Sequence, residues 1–494
     1  MPDTRCSILE SWFVARRGME REHRDTQTGI EMQEPRIDKS RGRCWLIGIL
    51  FFHTVNTYMD RACISSASGA MQRDLGFDDQ MLGYIFGMFA IGYALFQIPS
   101  GWLADVLGPR KVLAWVVSLW SIFTMLTGAA YNAFTLVLIR FFFGIGEAGA
   151  FPGATRALYN WVPAKERGIA QGLFHSGARV GAALSLFLMP FLIAVVGWRL
   201  TFVVNGLIGV AWVTVWLFWF RNDPKNHPAV NEAELSYIRQ GLTAESTPSA
   251  KLPFAVIVTS GNMLLAMFQY IAGNITFFIS FTWLQPYLMK QWGDQAAVYA
   301  PIPLIFGMFA HWTSGALVTY LYGRGYHVNS RRIPAVIGFV IGAFGLILTT
   351  QAGGAGALQF VLCFSIAVFG VEMTISPSWS FCMDIGGESS GAVSGAMNML
   401  GNLGSAFSAI IFPFFVARVT LPYFAEQTGT ANSFFVFAAV INVLAAVAWL
   451  FMNPKKTISG SISPRQIRVR LALFIIGAVV LVGGLLTYKI FFMK

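Results

Sequence analysis

Six acidic and arginine residues stand inside stretches of sequence that are otherwise apolar: Asp60, Arg61, Arg140, Glu147, Arg179 and Glu372. An ionised side chain at membrane depth costs several kcal/mol and seldom persists without a partner or a task, so the chemistry of the chain is sought among them. Arg140 and Glu147 are seven residues apart, which puts them on one helix face about two turns from each other. A buried carboxylate keeps its proton when desolvated and loses it to a close arginine. Movement of an arginine or arrival of an anion therefore switches such a group, and Glu147 is a candidate proton gate. The other reading is a static Arg140–Glu147 ion pair that braces the helix. Asp60 and Arg61 are adjacent, so they point about 100° apart and serve different neighbours. Both also fit a plain position at an outer helix end near water. A guanidinium offers a planar fork to a carboxylate and stays charged at any working pH, which suits Arg61 to holding an anion.

His175 and Arg179 are one turn apart on one face. Arg179 either adds a second cation to a cavity, favouring a larger or more strongly anionic substrate such as a dicarboxylate, or serves as the salt-bridge partner of Glu372. His175, His53 and His311 titrate near neutrality and are read first as hydrogen-bonded packing residues, with coupling as the second reading for His175. Amides offer both donor and acceptor and suit hydroxyl recognition. Asn398 and Asn402, with Asn274, Gln285, Ser376, Ser378 and Trp379, are candidates from the second half of the chain, and Tyr58, Tyr93 and Gln97 from the first.

The elements that must position these residues follow from composition. Of 494 residues, 55% are hydrophobic and only 12% charged, and the mean hydropathy is +0.58, which leaves too little polar surface to cover a soluble globule. Apolar runs of about 20 residues recur, each long enough at about 1.5 Å per residue to cross a hydrocarbon core, and too continuous for strands. They predict twelve helical spans near 44–68, 81–104, 111–130, 132–155, 167–194, 199–220, 257–286, 298–322, 333–351, 356–380, 390–417 and 432–452, and a thirteenth near 471–492. The implied domains are a cytoplasmic tail (1–43), a first six-helix bundle (44–220), a polar linker (221–256), a second bundle (257–453), and a segment (454–494) with the extra helix.

The net charge of +11 sits in short connections rather than on one polar face, which argues against nucleic acid and reads as topology. Arg110, Lys111, Lys165, Arg167, Arg221, Arg324, Arg331 and Arg332 fall on the side of a cytoplasmic N-terminus; Arg73, Lys290 and Arg418 fall outside. The scattered cysteines suit neither a metal site nor a disulfide scaffold, and no phosphate-binding G-x-x-x-x-G-K-[ST] loop occurs. No metal or other cofactor is expected, and the chain is not read as an enzyme. Membrane lipids are expected around a monomer.

Repetition ties the halves together. Span five reads GIAQGLFHSGARVGAALSLFLMP and span eleven GAVSGAMNMLGNLGSAFSAIIFP, so Gly168, Gly172, Gly181 and Pro190 meet Gly391, Gly395, Gly404 and Pro413 at one constant offset. The same register sets His175 and Arg179 against Asn398 and Asn402. Span four carries FGIGEAGAFPG and span ten FGVEMTISPS, placing Glu147 and Pro152 against Glu372 and Pro377. Two similar bundles with a site between them near the midplane are the architecture of an alternating-access carrier.

The loop GWLADVLGPRK (101–111) resembles the major facilitator signature between helices two and three, through Gly101, Asp105, Gly108, Arg110 and Lys111. Its glycines permit tight turns, while Asp105 can accept bonds from a neighbouring helix N-terminus and pair with nearby arginines, locking one side shut. The second-half loop GALVTYLYGRG (315–325) keeps Gly315 and Arg324 but lacks the acid, so a weaker lock is expected there. Tyr58-Met-Asp60-Arg61, the run from Arg140 through Glu147 to Pro152, and Gly197-Trp-Arg199 resemble the anion:cation symporter branch, which includes hexuronate, galactonate, glucarate and phthalate carriers. The resemblance runs from about 45 to 453 and implies an all-α membrane protein with the major facilitator fold. It further implies Glu147 as the proton-coupling carboxylate, Asp60 as a second protonation site, and Arg61 as the ligand of a substrate carboxylate. The function it implies is proton-coupled uptake of a sugar acid across the inner membrane; an aromatic or dicarboxylate anion carrier, or a non-transporting receptor with the same fold, are the alternatives.

Overall fold

The computed structural model describes residues 40–239, 252–354, 356–419 and 431–458, with isolated positions between 465 and 472. The thirteenth span and all but the last residues of the N-terminal tail lie outside them. Sixteen α-helices and no strand occur among the described residues. Nine helical stretches there are long and apolar enough to cross a membrane. The surface is what lipid requires: Phe218, Phe134, Phe191, Val195 and Phe451 are each more than 60% exposed.

The first half comprises α1 (Gly42–Leu75), α2 (Asp79–Leu107), α3 (Pro109–Gly128), α4 (Ala133–Glu147), α5 (Ala150–Trp161) and α6 (Arg167–Trp219). Local chemistry sets several ends. The Asp78 carboxylate accepts from the Met81 amide at the start of α2, Pro109 opens α3, and Asn132 and Thr135 form a reciprocal capping box on α4. Gly197, at φ 80°, a value that favours glycine, divides α6 into two arms. A short helix, α7 (Glu232–Arg239), follows in the linker and α8 (Phe254–Thr259) precedes the second half. That half comprises α9 (Gly261–Thr282), α10 (Leu284–Trp292), α11 (Ile302–Gly323), α12 (Asn329–Gln351), α13 (Ala357–Glu372), α14 (Ile375–Gly386), α15 (Ser390–Arg418) and α16 (Asn432–Phe451).

The halves meet chiefly along two helix pairs, the first arm of α6 on α11 and α2 on α15. Glycine makes the approach possible. A Cβ on Gly172 would collide with the His311 carbonyl, and one on Gly395 with the Gln97 carbonyl. Farther along the same helices, Gly181 backs onto Val55 of α1 and Gly404 onto Ile271 of α9. Residues matched by the sequence repeat thus occupy matched places in the packing, with the two bundles related by pseudo-symmetry.

Candidate functional site

Glu147 and Glu372 sit where a helix is interrupted. A proline at position 152 has no N–H to give to the carbonyl four residues back, so α4 ends at Glu147 and α5 resumes at Ala150. Pro377 does the same between α13 and α14, and the freed Met373 carbonyl accepts from the Ser314 hydroxyl of α11. Each break leaves a glutamate at the end of its helix, Glu372 on the wall of the space between the bundles and Glu147 buried behind it.

That space is a narrow cavity whose wall includes Tyr58, Arg61, Tyr93, His175, Arg179, Asn398 and Asn402. On its first-half side, Arg61 Nε donates to Glu147 Oε1 at 2.6 Å, and Glu147 is fully buried. The guanidinium lies 4.5 Å from the Tyr93 ring centre and 5.1 Å from that of Tyr58. Arg61 Nη2 and Glu147 Oε2 are buried without a hydrogen-bond partner. An unmatched guanidinium nitrogen at a cavity wall is an open valence for an anion.

On the second-half side, Arg179 grips Glu372 as a fork: Nε to Oε2 at 3.1 Å, Nη2 to Oε1 at 2.7 Å and to Oε2 at 2.8 Å. His311 Nε2 is 2.5 Å from Glu372 Oε2. The ion pair crosses between the bundles, Arg179 coming from α6 and Glu372 from α13. Geometry explains why. Arg61 stands six residues beyond Val55 in α1, and the residue six beyond Ile271 in α9 is Phe277. With no arginine at that place, Glu372 takes Arg179 from the other half, and the Phe277 ring lies 3.9 Å beneath the guanidinium. Of the two sequence readings of Arg179, the salt bridge is the one present.

Hydrogen bonds also link the halves. Asn398 Nδ2 donates to the Tyr93 hydroxyl at 3.3 Å across the boundary, and within α15 Asn402 Nδ2 donates to the Asn398 carbonyl at 2.8 Å. The His175 ring stacks between Phe151 and Trp379, at 5.3 and 4.7 Å.

Arg140, Asp60, Gln97, Gln285, Ser376 and Ser378 stand away from the wall, as Glu147 does behind Arg61. Arg140 makes no ion pair with Glu147, because seven residues separate them by about 10 Å along the axis; its guanidinium lies over the Phe143 and Phe89 rings instead. The bracing pair considered from sequence is therefore absent. Asp60 is 1% exposed rather than at a wet helix end, and Asn56 donates to it at 3.5 Å. Gln97 is fully buried at the α2–α15 contact, its amide without a partner, and does not face the cavity.

At the face carrying the linker, Asp105 Oδ1 accepts from the Gly391 amide at 2.9 Å and Oδ2 from the Ala392 amide at 2.7 Å, both at the N-terminus of α15 across the bundle boundary. Gly101 packs against the Gly391 carbonyl beside them. The nearby arginine is Arg156, 3.6 Å away. Arg110 turns elsewhere, donating to the Leu217 carbonyl and, through its amide, to Asn222, while Gly108 makes the α2–α3 turn at φ 84°. In the second half, Thr319 stands in the place of Asp105 and accepts from the Ile169 amide at 3.0 Å, Ile169 being the repeat mate of Ala392. The expectation of a weaker second lock needs correction, because an acid from outside the loop joins in. Asp384 of α14 takes Arg167 of α6 and Arg331 of α12, each at 2.8 Å.

Sequence reasoning missed Asp384, Phe277 and Tyr270, whose hydroxyl accepts from Trp379 Nε1 at 3.0 Å. Thr319 was legible from the repeat register, whereas nothing local marks the other three.

The sequence model described as Major Facilitator Superfamily matches residues 50–409. A probable sulfoacetate transporter, SauU of Cupriavidus necator, is 32% identical over 84% of this chain and 95% of its own length. A probable galactarate/D-glucarate transporter, GudP of Bacillus subtilis, is 30% identical over 85% of this chain and 93% of its own. The hexuronate transporter of Bacillus subtilis is 28% identical over 84% and 96%. Among solved structures, the proton:xylose symporter XylE superposes with a TM-score of 0.63 at 14% identity, covering 84% of this chain and 97% of that one, a likeness of fold. Alignment over nearly the full length of several carriers and a family match across both bundles lead to one assignment: the chain belongs to the Major Facilitator Superfamily, a family of multi-pass membrane transporters and not of enzymes.

Proposed function

We propose that the protein carries a small organic anion, a sugar acid such as a hexuronate, aldonate or aldarate, into the cell across the inner membrane together with protons, with the linker face in the cytoplasm. The observation that carries this reading is that Arg61, on the cavity wall, is held from behind by the buried Glu147. An anion that engages Arg61 competes with Glu147 for the same guanidinium. A displaced carboxylate left buried and unpaired would cost several kcal/mol, and a proton removes that cost, so substrate and proton bind together. Asp60, whose neighbouring charges include Glu147 and Arg140, is the second protonation site. The Tyr93–Asn398 contact brings a phenol and an amide to the substrate hydroxyls. Rocking of the bundles then separates Asp105 from α15 and Asp384 from Arg167, and proton loss to the cytoplasm restores Glu147 to Arg61 and expels the anion. The carriers it resembles, which are named for sulfoacetate, galactarate/glucarate and hexuronate, support the substrate class.

The test is uptake of labelled D-galactonate, D-glucuronate and D-glucarate into proteoliposomes with and without an inward proton gradient. Gradient-driven accumulation in the wild type, lost in Glu147→Gln with exchange of internal for external substrate retained, is the expected result. No movement of any of these anions by folded, inserted protein sinks the assignment.

A further inference from the structure

The cavity holds two guanidiniums, each on its own glutamate, and proton-coupled uptake of a monoanion engages one of them. We propose that the site is built for a small dianion, whose second anionic end takes Arg179 from Glu372, and that Glu372 then carries one additional proton, so a dianion enters with one proton more than a monoanion does. The proposal rests on the proton-coupled reading above and assigns the second pair a matching task.

Three observations converge. Arg61 and Arg179 both lie on the wall of the same cavity, so one short ligand can reach both. Arg179 already presents its fork to a carboxylate, at 2.7 to 3.1 Å, so an incoming carboxylate reproduces bonds the guanidinium is oriented to make. The third concerns what Glu372 keeps when Arg179 is taken. The groups facing it are Arg179 and His175 of α6, His311 of α11, Tyr58 of α1 and Tyr270 of α9. Among the described residues no second arginine or lysine lies within ion-pair distance. A buried carboxylate deprived of its cation has to be neutralised, and the titratable ring of His311 lies beside it, Nε2 2.5 Å from Oε2 without the alignment of a hydrogen bond.

The charges balance. A dianion breaks the Arg61–Glu147 and Arg179–Glu372 pairs and makes two new ones; Glu147 and Glu372 each gain a proton. On release both protons leave and both pairs re-form. A monoanion on Arg61 leaves the Arg179–Glu372 pair intact, and Glu372 takes no proton. The extra negative charge of the dianion is thus matched by the extra proton, and the net charge moved per substrate is the same for both.

The experiment measures charge moved per substrate, from the dependence of accumulation on membrane potential, for D-glucarate and D-galactonate in proteoliposomes of the full chain. Equal charge for the two is expected in the wild type. In Glu372→Gln the charge per glucarate should fall by one, so a 60 mV inside-negative potential enhances glucarate accumulation about tenfold less than in the wild type. Arg179→Gln should lower the ratio of glucarate to galactonate uptake at least tenfold. The double variant Arg179→Gln/Glu372→Gln leaves no buried charge unpaired and should show the same loss of ratio, which guards against misfolding of the single variant. Glucarate moving one positive charge fewer than galactonate in the wild type, or a ratio unchanged in the double variant, overturns the dianion proposal while leaving proton-coupled uptake standing. Failure of both anions to move with protons overturns both readings.

Discussion

Glu147 and Glu372 occupy the same point of the two repeats, each closing a helix five residues before a proline, yet Glu147 is held by an arginine of its own bundle and Glu372 by one from the opposite bundle. A pair within one rigid body survives any rocking of the bundles. A pair that spans two bodies also ties them together across the cavity. The first is therefore suited to sensing the ligand, and the second to sensing it while holding the bundles in register.

Arg61 makes a sharper demand on its side chain than charge alone. Arg61→Lys keeps the cation but loses the fork and the stacking on Tyr93 and Tyr58. One charge-assisted bond is worth about 1.5–3 kcal/mol, so substrate affinity should fall roughly tenfold to a hundredfold. Equilibrium binding of labelled substrate to detergent-solubilised protein measures this. Affinity unchanged in the lysine variant would remove Arg61 from the binding site.

The helices and their pairing were legible in the sequence because lipid forces length, apolarity and helical form together, and because the glycines at one offset are the ones that let α6, α11, α2 and α15 approach. Glu147 and Arg61 were legible as buried charges. Their pairing was not, since it depends on how α1 and α4 lie side by side, and helical spacing suggested Arg140 instead. Phe277 escaped notice for a related reason: its effect is the absence of an arginine, which matters only once the repeat is laid out in space. Asp384 stands at a helix end in a stretch with no motif, and only the fold brings Arg167 and Arg331 to it.

Asp384 holds one arginine from each bundle, and Thr319 holds a single amide. Loss of the acid leaves two guanidiniums without their carboxylate at a site that keeps 12% exposure, an effect of roughly 2–3 kcal/mol on the closed linker face. Loss of one neutral bond in Thr319→Val is worth about 1 kcal/mol. Alkylation of a cysteine placed at Ser390, in a background lacking the native cysteines, reads the opening of that face. Asp384→Asn should speed it at least tenfold and Thr319→Val by less. The reverse order would mean that the carboxylate does not lock the boundary.

Asp105 tests whether the α2 loop holds the same face by charge or by shape. Asp105→Asn keeps one acceptor oxygen for Gly391 or Ala392 but replaces the other with a donor that faces an amide N–H. One of two charge-assisted bonds goes, the other becomes neutral, and the helix N-terminus of α15 loses its anion. The closed face should weaken by about 2 kcal/mol. Alkylation at position 390 should then accelerate by an order of magnitude, and an unaltered rate would place the lock in the glycine packing at Gly101 instead.

The linker contributes chiefly through Glu234 of α7. Glu234 is fully buried and accepts from the amides of Gly42 and Arg43, from Arg43 Nη1 and from the Ser40 hydroxyl, so it caps the free N–H groups at the start of α1 while neutralising the arginine there. Arg43 continues to Glu166, which also accepts from Tyr237, and so the linker helix, α1 and the loop before α6 form one charged cluster. Glu234→Gln removes the charge and turns one acceptor into a donor facing an N–H. The cost should be at least about 2 kcal/mol, with α7 released from the bundle. Limited proteolysis of the reconstituted protein reads that release as faster cleavage within 232–239, and Glu234→Asp, which keeps the charge, should restore part of the protection. Equal cleavage of wild type and Glu234→Gln would show that apolar packing alone, through Ile238, seats the linker helix.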